Sequence, residues 1–76
     1  MNETIYVRLV DEGIDVWRPV LARRGSSPNS FLILSDPHNI TPPGENWEFS
    51  PGSHVLVREM LLEGKKANVA YALTGN

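Results

Sequence analysis

The sequence contains no cysteine, no long apolar run and no excess of positive charge. Without thiols there can be no disulfide, no thiolate-bound zinc or iron–sulfur cluster and no cysteine nucleophile. No stretch reaches the roughly 20 apolar residues that a membrane helix requires. The opening residues, MNETIYVRLV, lack the basic and apolar regions of a secretory signal. We therefore expect a soluble, cytoplasmic protein that does not associate with membranes.

The charge and the length limit the function further. A formal net charge of −2 gives no overall attraction to a polyanion, which weighs against nucleic acid as the partner. A chain of 76 residues predicts one small domain over residues 1–76. Folding of so short a chain buries only about 60% of the surface that the unfolded chain exposes. A deep substrate pocket is therefore not expected.

Period-two alternation of apolar and polar residues predicts β-strands. In residues 4–10, Ile5, Val7 and Leu9 lie on one side and Tyr6, Arg8 and Val10 on the other. Further strands are predicted at 16–24, 31–34, 54–62 and 68–74, with a short WEF segment at 47–49 that places Trp47 and Phe49 together in the core. The turn signals DEGID, SPGS and EGKK separate these runs. The prediction is an all-β fold, a small SH3-like barrel of five or six short antiparallel strands, with an OB-like barrel as the alternative.

The VWRPV segment places a proline inside a predicted strand. Because proline has no backbone N–H, Pro19 is expected at a strand edge or at a bend. Two inward-facing sets are consistent with the sequence. If Val20 and its alternate neighbours face inward, so does Arg18; if Leu21 faces inward, so does Trp17.

The segments VWRPV and WEFSPG together resemble a group of short bacterial proteins that carry V-W-R-P-V and W-x-F-x-P-G segments. The resemblance spans roughly residues 5–58. It implies a bacterial, stand-alone small β protein, and it implies no activity, cofactor or ligand residue.

Residues 36–46 form a long loop with three prolines and no periodicity. Loops of this kind in compact domains are functional or disordered. The segment is expected to be the most mobile internal part of the chain.

Residues with catalytic or metal-binding chemistry are sparse. His38 and His54 have no second ligand or carboxylate at a spacing typical of a metal site or a triad. The acidic turn at 11–15 lacks the spacing of a calcium loop, and there is no glycine-rich phosphate loop. We predict that the protein is not an enzyme and has no catalytic residues, no metal and no cofactor. A small enzyme or metal protein built on either histidine is the least favoured hypothesis.

The second predicted strand carries the candidate binding surface, which consists of Trp17, Arg18, Arg23 and Arg24. Arginines beside aromatic rings are typical of barrels that bind single-stranded nucleic acid. The favoured hypothesis is nevertheless a non-enzymatic binding or accessory module with a protein partner. The alternative is a nucleic-acid-binding barrel that uses this arginine-rich surface.

Overall fold

Five strands close into one barrel. A computed structural model describes residues 2–35, 39 and 43–74. The strands are β1 (Asn2–Leu9), β2 (Val16–Arg24), β3 (Ser30–Ile33), β4 (His54–Leu62) and β5 (Lys65–Leu73). Each strand neighbours the next in sequence, and β5 returns to β1. The all-β prediction is confirmed, and the architecture is consistent with a small SH3-like barrel.

The barrel closes between its first and last strands. The four pairs of consecutive strands are antiparallel, as predicted. The closing pair is parallel, with Tyr6 opposite Val69. The reason is geometric, because an odd number of alternately directed strands leaves the first and the last pointing the same way.

Alternate residues of the strands form the core. Ile5 and Val7 are fully buried, and Leu9 is almost so, which confirms the predicted inward face of β1. Phe49 enters the core from the segment before β4, and Trp47 packs against it while half-buried. The WEF segment is not a sixth strand, because its only strand-like pairing is a single bridge from Trp47 to Leu9. Phe49 is therefore in the core, as predicted, whereas Trp47 is only partly buried and packs against the core.

The structure shows which of the two alternative sides of β2 faces the core. Val20 and Ala22 are buried, and Val20 pairs directly with the core residue Ile5. Because side chains alternate along a strand, Arg18 shares their inward side. Trp17 faces outward and is half-buried.

The turns use the backbone conformations that their residues favour. Glu63 and Gly64 join β4 to β5 with φ values of 52° and 81°. Positive φ at both central residues is typical of a type I′ hairpin turn. The EGKK turn is therefore shorter than predicted, and β5 begins at Lys65 rather than at residue 68. Gly52, with φ of 91°, forms the predicted SPGS turn, which the Ser53 N–H closes by donating to the Ser50 carbonyl at 3.1 Å.

Pro19 lies at a strand edge, as predicted. It pairs with Tyr6 of β1, but β3 pairs only with the last part of β2, from Ala22 to Arg24. The Leu21 N–H points away from β1, since it donates to Oδ1 of Asn39 at 2.9 Å. The amide groups of alternate residues point to the same edge, so an N–H at Pro19 would point to this side as well. No strand within the described residues needs that donor, and proline is tolerated there.

Asn39 substitutes for a strand beside β2. Its side-chain amide also donates to the carbonyls of Leu21 and Leu34, each at 2.8 Å, and the residue is only 3% exposed. The rest of the predicted mobile loop falls largely on residues 36–38 and 40–42, which lie outside the described residues, as does His38. The predicted mobility therefore stays a prediction.

Candidate binding face

Arg18 reaches the end of the barrel that the segment before β4 covers. Its Nε donates to Oε1 of Glu45 at 3.2 Å, and a second guanidinium N–H bonds the other carboxylate oxygen. Nε1 of Trp47 donates to Oε1 of Glu45 at 3.1 Å. The hydrogen bond from Arg18, and secondarily that from Trp47, hold the pKa of Glu45 below its usual range. The charge of Arg18 is thus compensated within the protein.

The other inward-side cations are paired in the same way. Arg24 donates to Glu3 at 2.7 Å, and its guanidinium lies 5.1 Å from the ring centroid of Phe31. Lys66 lies 3.9 Å from Glu59. All three of these pairs are partly or largely solvent-exposed, so each contributes little to stability. In each pair the positive charge of the inward-side cation lies beside a carboxylate.

The four residues of the predicted surface do not share one face. Trp17 and Arg23 point outward, whereas Arg18 and Arg24 occupy inward positions at opposite ends of β2. Six residues of strand, about 20 Å, separate Trp17 from Arg23. The structure therefore gives no contiguous patch made of these four side chains, and their role in binding stays a prediction.

A different group of side chains does come together on the outside of the barrel. We call it the aromatic face, and it consists of Tyr6, Arg8, Trp17, Arg58 and Tyr71. Arg58 pairs across β4 and β5 with Val69, which lies opposite Tyr6 on β1. Arg8 pairs with Trp17 across β1 and β2. Two residues beyond Val69 on β5, Tyr71 reaches the level of Arg8 and lies under the Arg58 guanidinium, 5.1 Å from ring centroid to Cζ.

Charge is segregated between the two sides of the sheet. The strands contain only two carboxylates, Glu3 and Glu59. Both occupy inward positions and form ion pairs, with Arg24 and Lys66 respectively. The outward positions carry four cations, which are Arg8, Arg23, Arg58 and Lys65. The outer surface of the strands is therefore basic although the chain as a whole is acidic.

An open cleft of about 750 Å³ adjoins the aromatic face. Tyr6 and Trp17 line it from β1 and β2, and the β4–β5 hairpin contributes its two leucines at 61 and 62 and its two lysines at 65 and 66. Asp15 and Glu63 also reach it, and Asp15 accepts a hydrogen bond from Nε of Arg8 at 3.3 Å. The cleft thus combines rings, aliphatic surface and charges of both signs.

The part of the chain that the structure describes contains no cluster of metal-binding side chains. No three histidine, aspartate or glutamate side chains there are grouped so as to hold a metal ion. His54 is exposed at the start of β4. Among residues 2–35, 39 and 43–74, no helix has the length and apolar composition needed to cross a bilayer.

Comparisons with protein-family models, curated proteins and solved structures found no match. The resemblance of the VWRPV and WEFSPG segments to short bacterial proteins accordingly stays a prediction.

Sequence reasoning found part of the aromatic face. It placed Tyr6 and Arg8 together on the outward side of β1 and included Trp17 in the binding surface. It missed Arg58 and Tyr71, because their proximity depends on pairing between β4, β5 and β1. The sequence does carry one signal of this face. When the charged residues of each strand are assigned to its two sides, the outward positions hold no carboxylate.

Proposed function

We propose that the protein is a non-enzymatic binding module whose contact surface is the aromatic face. The observation that carries this proposal is the grouping of three aromatic side chains with two arginines on outward strand positions that contain no carboxylate. Large rings and arginine are the side chains that contribute most binding energy at protein surfaces. A bacterial, cytoplasmic setting belongs to the same proposal. The cysteine-free composition supports a reducing compartment such as the cytoplasm, and the resemblance of the VWRPV and WEFSPG segments supports a bacterial source.

The exposure of the rings supports a contact role. Tyr71 is 45% exposed even though the Arg58 guanidinium stacks on it. Leu61, at the tip of the hairpin beside the cleft, is 68% exposed. Removing such apolar surface from water on binding is favourable by about 25 cal/mol per Å². The face and its cleft therefore offer a ligand both apolar area and positive charge.

Selection from two random libraries tests the proposal. The purified protein would be panned against a random-peptide library and, separately, against a random-sequence pool of single-stranded oligonucleotides. We expect enrichment from at least one library by the wild type and its loss in a double variant, Arg58→Gln with Tyr71→Ser. Both positions are exposed, so this variant should remain folded.

A matched control removes the same charge elsewhere. Arg24→Gln deletes an exposed arginine on an inward position, away from the aromatic face, and should keep the enrichment. Failure of both libraries to enrich on the wild type would overturn the proposal. Equal loss of enrichment in the Arg24→Gln variant would show that the aromatic face is not the contact surface.

A further inference from the structure

We infer that the ligand of the aromatic face is a single-stranded nucleic acid, in which unpaired bases alternate with phosphates. The inference rests on the proposed function and names its ligand. A single strand is recognised by rings that stack on unpaired bases and by cations that follow the backbone. Both elements are present on the outer side of the barrel, on strands that hold them in fixed positions.

The rings are spaced for consecutive bases. Tyr71, Tyr6 and Trp17 lie on three neighbouring strands, β5, β1 and β2. Neighbouring strands are about 4.8 Å apart, so Tyr71 and Trp17 are separated by about 10 Å across the sheet. Tyr6 lies two residues, about 7 Å, from that level along β1, so the three rings form a triangle. Its sides suit two or three nucleotides of a single strand. The cleft beside Tyr6 and Trp17, at about 750 Å³, has room for a further base.

The cations are interleaved with the rings. Arg58 lies over Tyr71, and Arg8 lies on β1 between Tyr71 on β5 and Trp17 on β2. Lys65 adds a charge at the cleft. A single strand likewise alternates base and phosphate, so a base on each ring brings a phosphate near each cation.

The net charge of −2 does not oppose this arrangement. The two strand carboxylates, Glu3 and Glu59, are at inward positions and are ion-paired. Of the two carboxylates that reach the cleft, Asp15 and Glu63, Asp15 is the one that competes with a phosphate for Arg8, because it accepts a bond from the Arg8 Nε at 3.3 Å and is itself exposed. Removing that carboxylate frees the arginine, so Asp15→Asn should bind a polyanion more tightly than the wild type.

Fluorescence anisotropy with labelled homopolymers tests the inference. The probes are single-stranded oligo-U RNA and oligo-dT DNA of about ten nucleotides, the site size of a small barrel, and a DNA duplex of matched length. If three cations contact phosphates, log K should fall with log salt with a slope of about −2, since single strands give about −0.7 per phosphate. Arg58→Gln should make the slope shallower by about 0.7. Tyr71→Ser should weaken binding about 5- to 150-fold with an unchanged slope, because it removes stacking rather than charge.

A comparison of Asp15 with Asp11 separates the release of Arg8 from a nonspecific effect of charge. Asp15→Asn and Asp11→Asn remove the same charge from the same loop, but only Asp15 binds Arg8. We expect tighter binding from the first variant and at most a twofold change from the second. Asp11 has a positive φ of 64°, which asparagine tolerates, so its variant should fold normally.

Each result decides between ligands. Binding of RNA, of DNA or of both supports the inference, and the comparison of the two shows whether the 2′-hydroxyl is read. Absence of binding to both single strands at about 20 mM salt, where phosphate contacts are strongest, overturns it. So does a preference for the duplex, or equal effects of Asp15→Asn and Asp11→Asn. If the peptide library alone enriches on the aromatic face, the proposed function stands and the nucleic-acid ligand is rejected.

Discussion

Replacing Asn39 with alanine should destabilise the barrel by about 2–4 kcal/mol, a large effect for a loop residue. The side chain makes three hydrogen bonds, to the Leu21 N–H and to the carbonyls of Leu21 and Leu34. The Leu21 carbonyl keeps a second partner, since the Leu34 N–H donates to it at 3.1 Å. Two backbone groups, the Leu21 N–H and the Leu34 carbonyl, therefore lose this partner. Each unsatisfied buried group costs about 1–3 kcal/mol, less where water enters.

The expected loss is a large fraction of the total free energy of unfolding, because so small a domain has little stability. At about 0.05–0.15 kcal/mol per residue, a chain of 76 residues has a free energy of unfolding of roughly 4–11 kcal/mol. Urea unfolding followed by far-UV circular dichroism would measure the change. Asn46→Ala is the matched control, since the Asn46 side chain is exposed and, among the described residues, donates only to Asp11 at 3.4 Å. Its variant should stay within about 0.5 kcal/mol of the wild type.

A second substitution at the same position separates hydrogen bonding from packing. Asn39→Asp keeps the shape but replaces the amide donor with an oxygen that faces the carbonyls of Leu21 and Leu34. It should destabilise at least as much as alanine at neutral pH and recover partly in acid, when the carboxyl can donate one hydrogen bond. If Asn39→Ala unfolds within about 0.5 kcal/mol of the wild type, the view that this side chain completes the edge of β2 is wrong.

Three further outcomes are expected. Phe49→Ala should cost about 3–5 kcal/mol in the free energy of unfolding, because it empties part of the core. Gly64→Ala should cost about 1–2 kcal/mol, since its φ of 81° strains any side chain, whereas Gly13→Ala should be neutral or stabilise by up to about 1 kcal/mol; both would be measured by thermal unfolding. The lowered pKa of Glu45, caused by its hydrogen bond from Arg18, means that its stabilisation is present above the usual glutamate range and is lost as the pH falls through the folded-state pKa. Glu45→Gln should therefore reduce the acid dependence of the melting temperature.

One neighbouring residue serves as the control for two of these measurements. Glu48 is exposed and lies between the two aromatic residues of the WEF segment. Glu48→Ala should leave the free energy of unfolding nearly unchanged, and Glu48→Gln should leave the acid dependence of melting as it is in the wild type. A loss from Glu48→Ala comparable to that from Phe49→Ala would indicate that the segment, rather than the ring, carries the stability. An acid dependence equal in the Glu45→Gln variant and the wild type would contradict the role given to the Arg18 pair.

Strand positions could be predicted because burial on one side of a sheet imposes a period of two on the sequence. The bounds of β2 and β4 agree with the predicted strands at 16–24 and 54–62. The start of β5 was predicted too late, since Lys65 and Lys66 have the composition of a turn. In the structure a two-residue turn suffices, and these lysines pair with the leucines at 62 and 61.

The candidate binding face was less predictable because it depends on which strands become neighbours. Alternation alone assigns Tyr6 and Arg8 to one side of β1. It does not place Tyr71 beside them, because that requires the parallel closing pair and the irregular register between Leu56 and Val57 of β4. The Arg18–Glu45 pair was missed for a similar reason, since 27 positions separate the two residues in the chain.

The parallel closing pair has a kinetic consequence. The hairpin of β4 and β5 needs only a two-residue loop, whose closure takes place on the timescale of microseconds. The contact between Tyr6 and Val69 closes the loop formed by the residues between them, so its formation costs a much larger loop-closure entropy. Consecutive hairpins can therefore form one after another, and this contact is made when the others already hold the ends close. The pairing of β1 with β5 should accordingly form last, after the transition state, and substitutions at that seam should change the unfolding rate more than the folding rate.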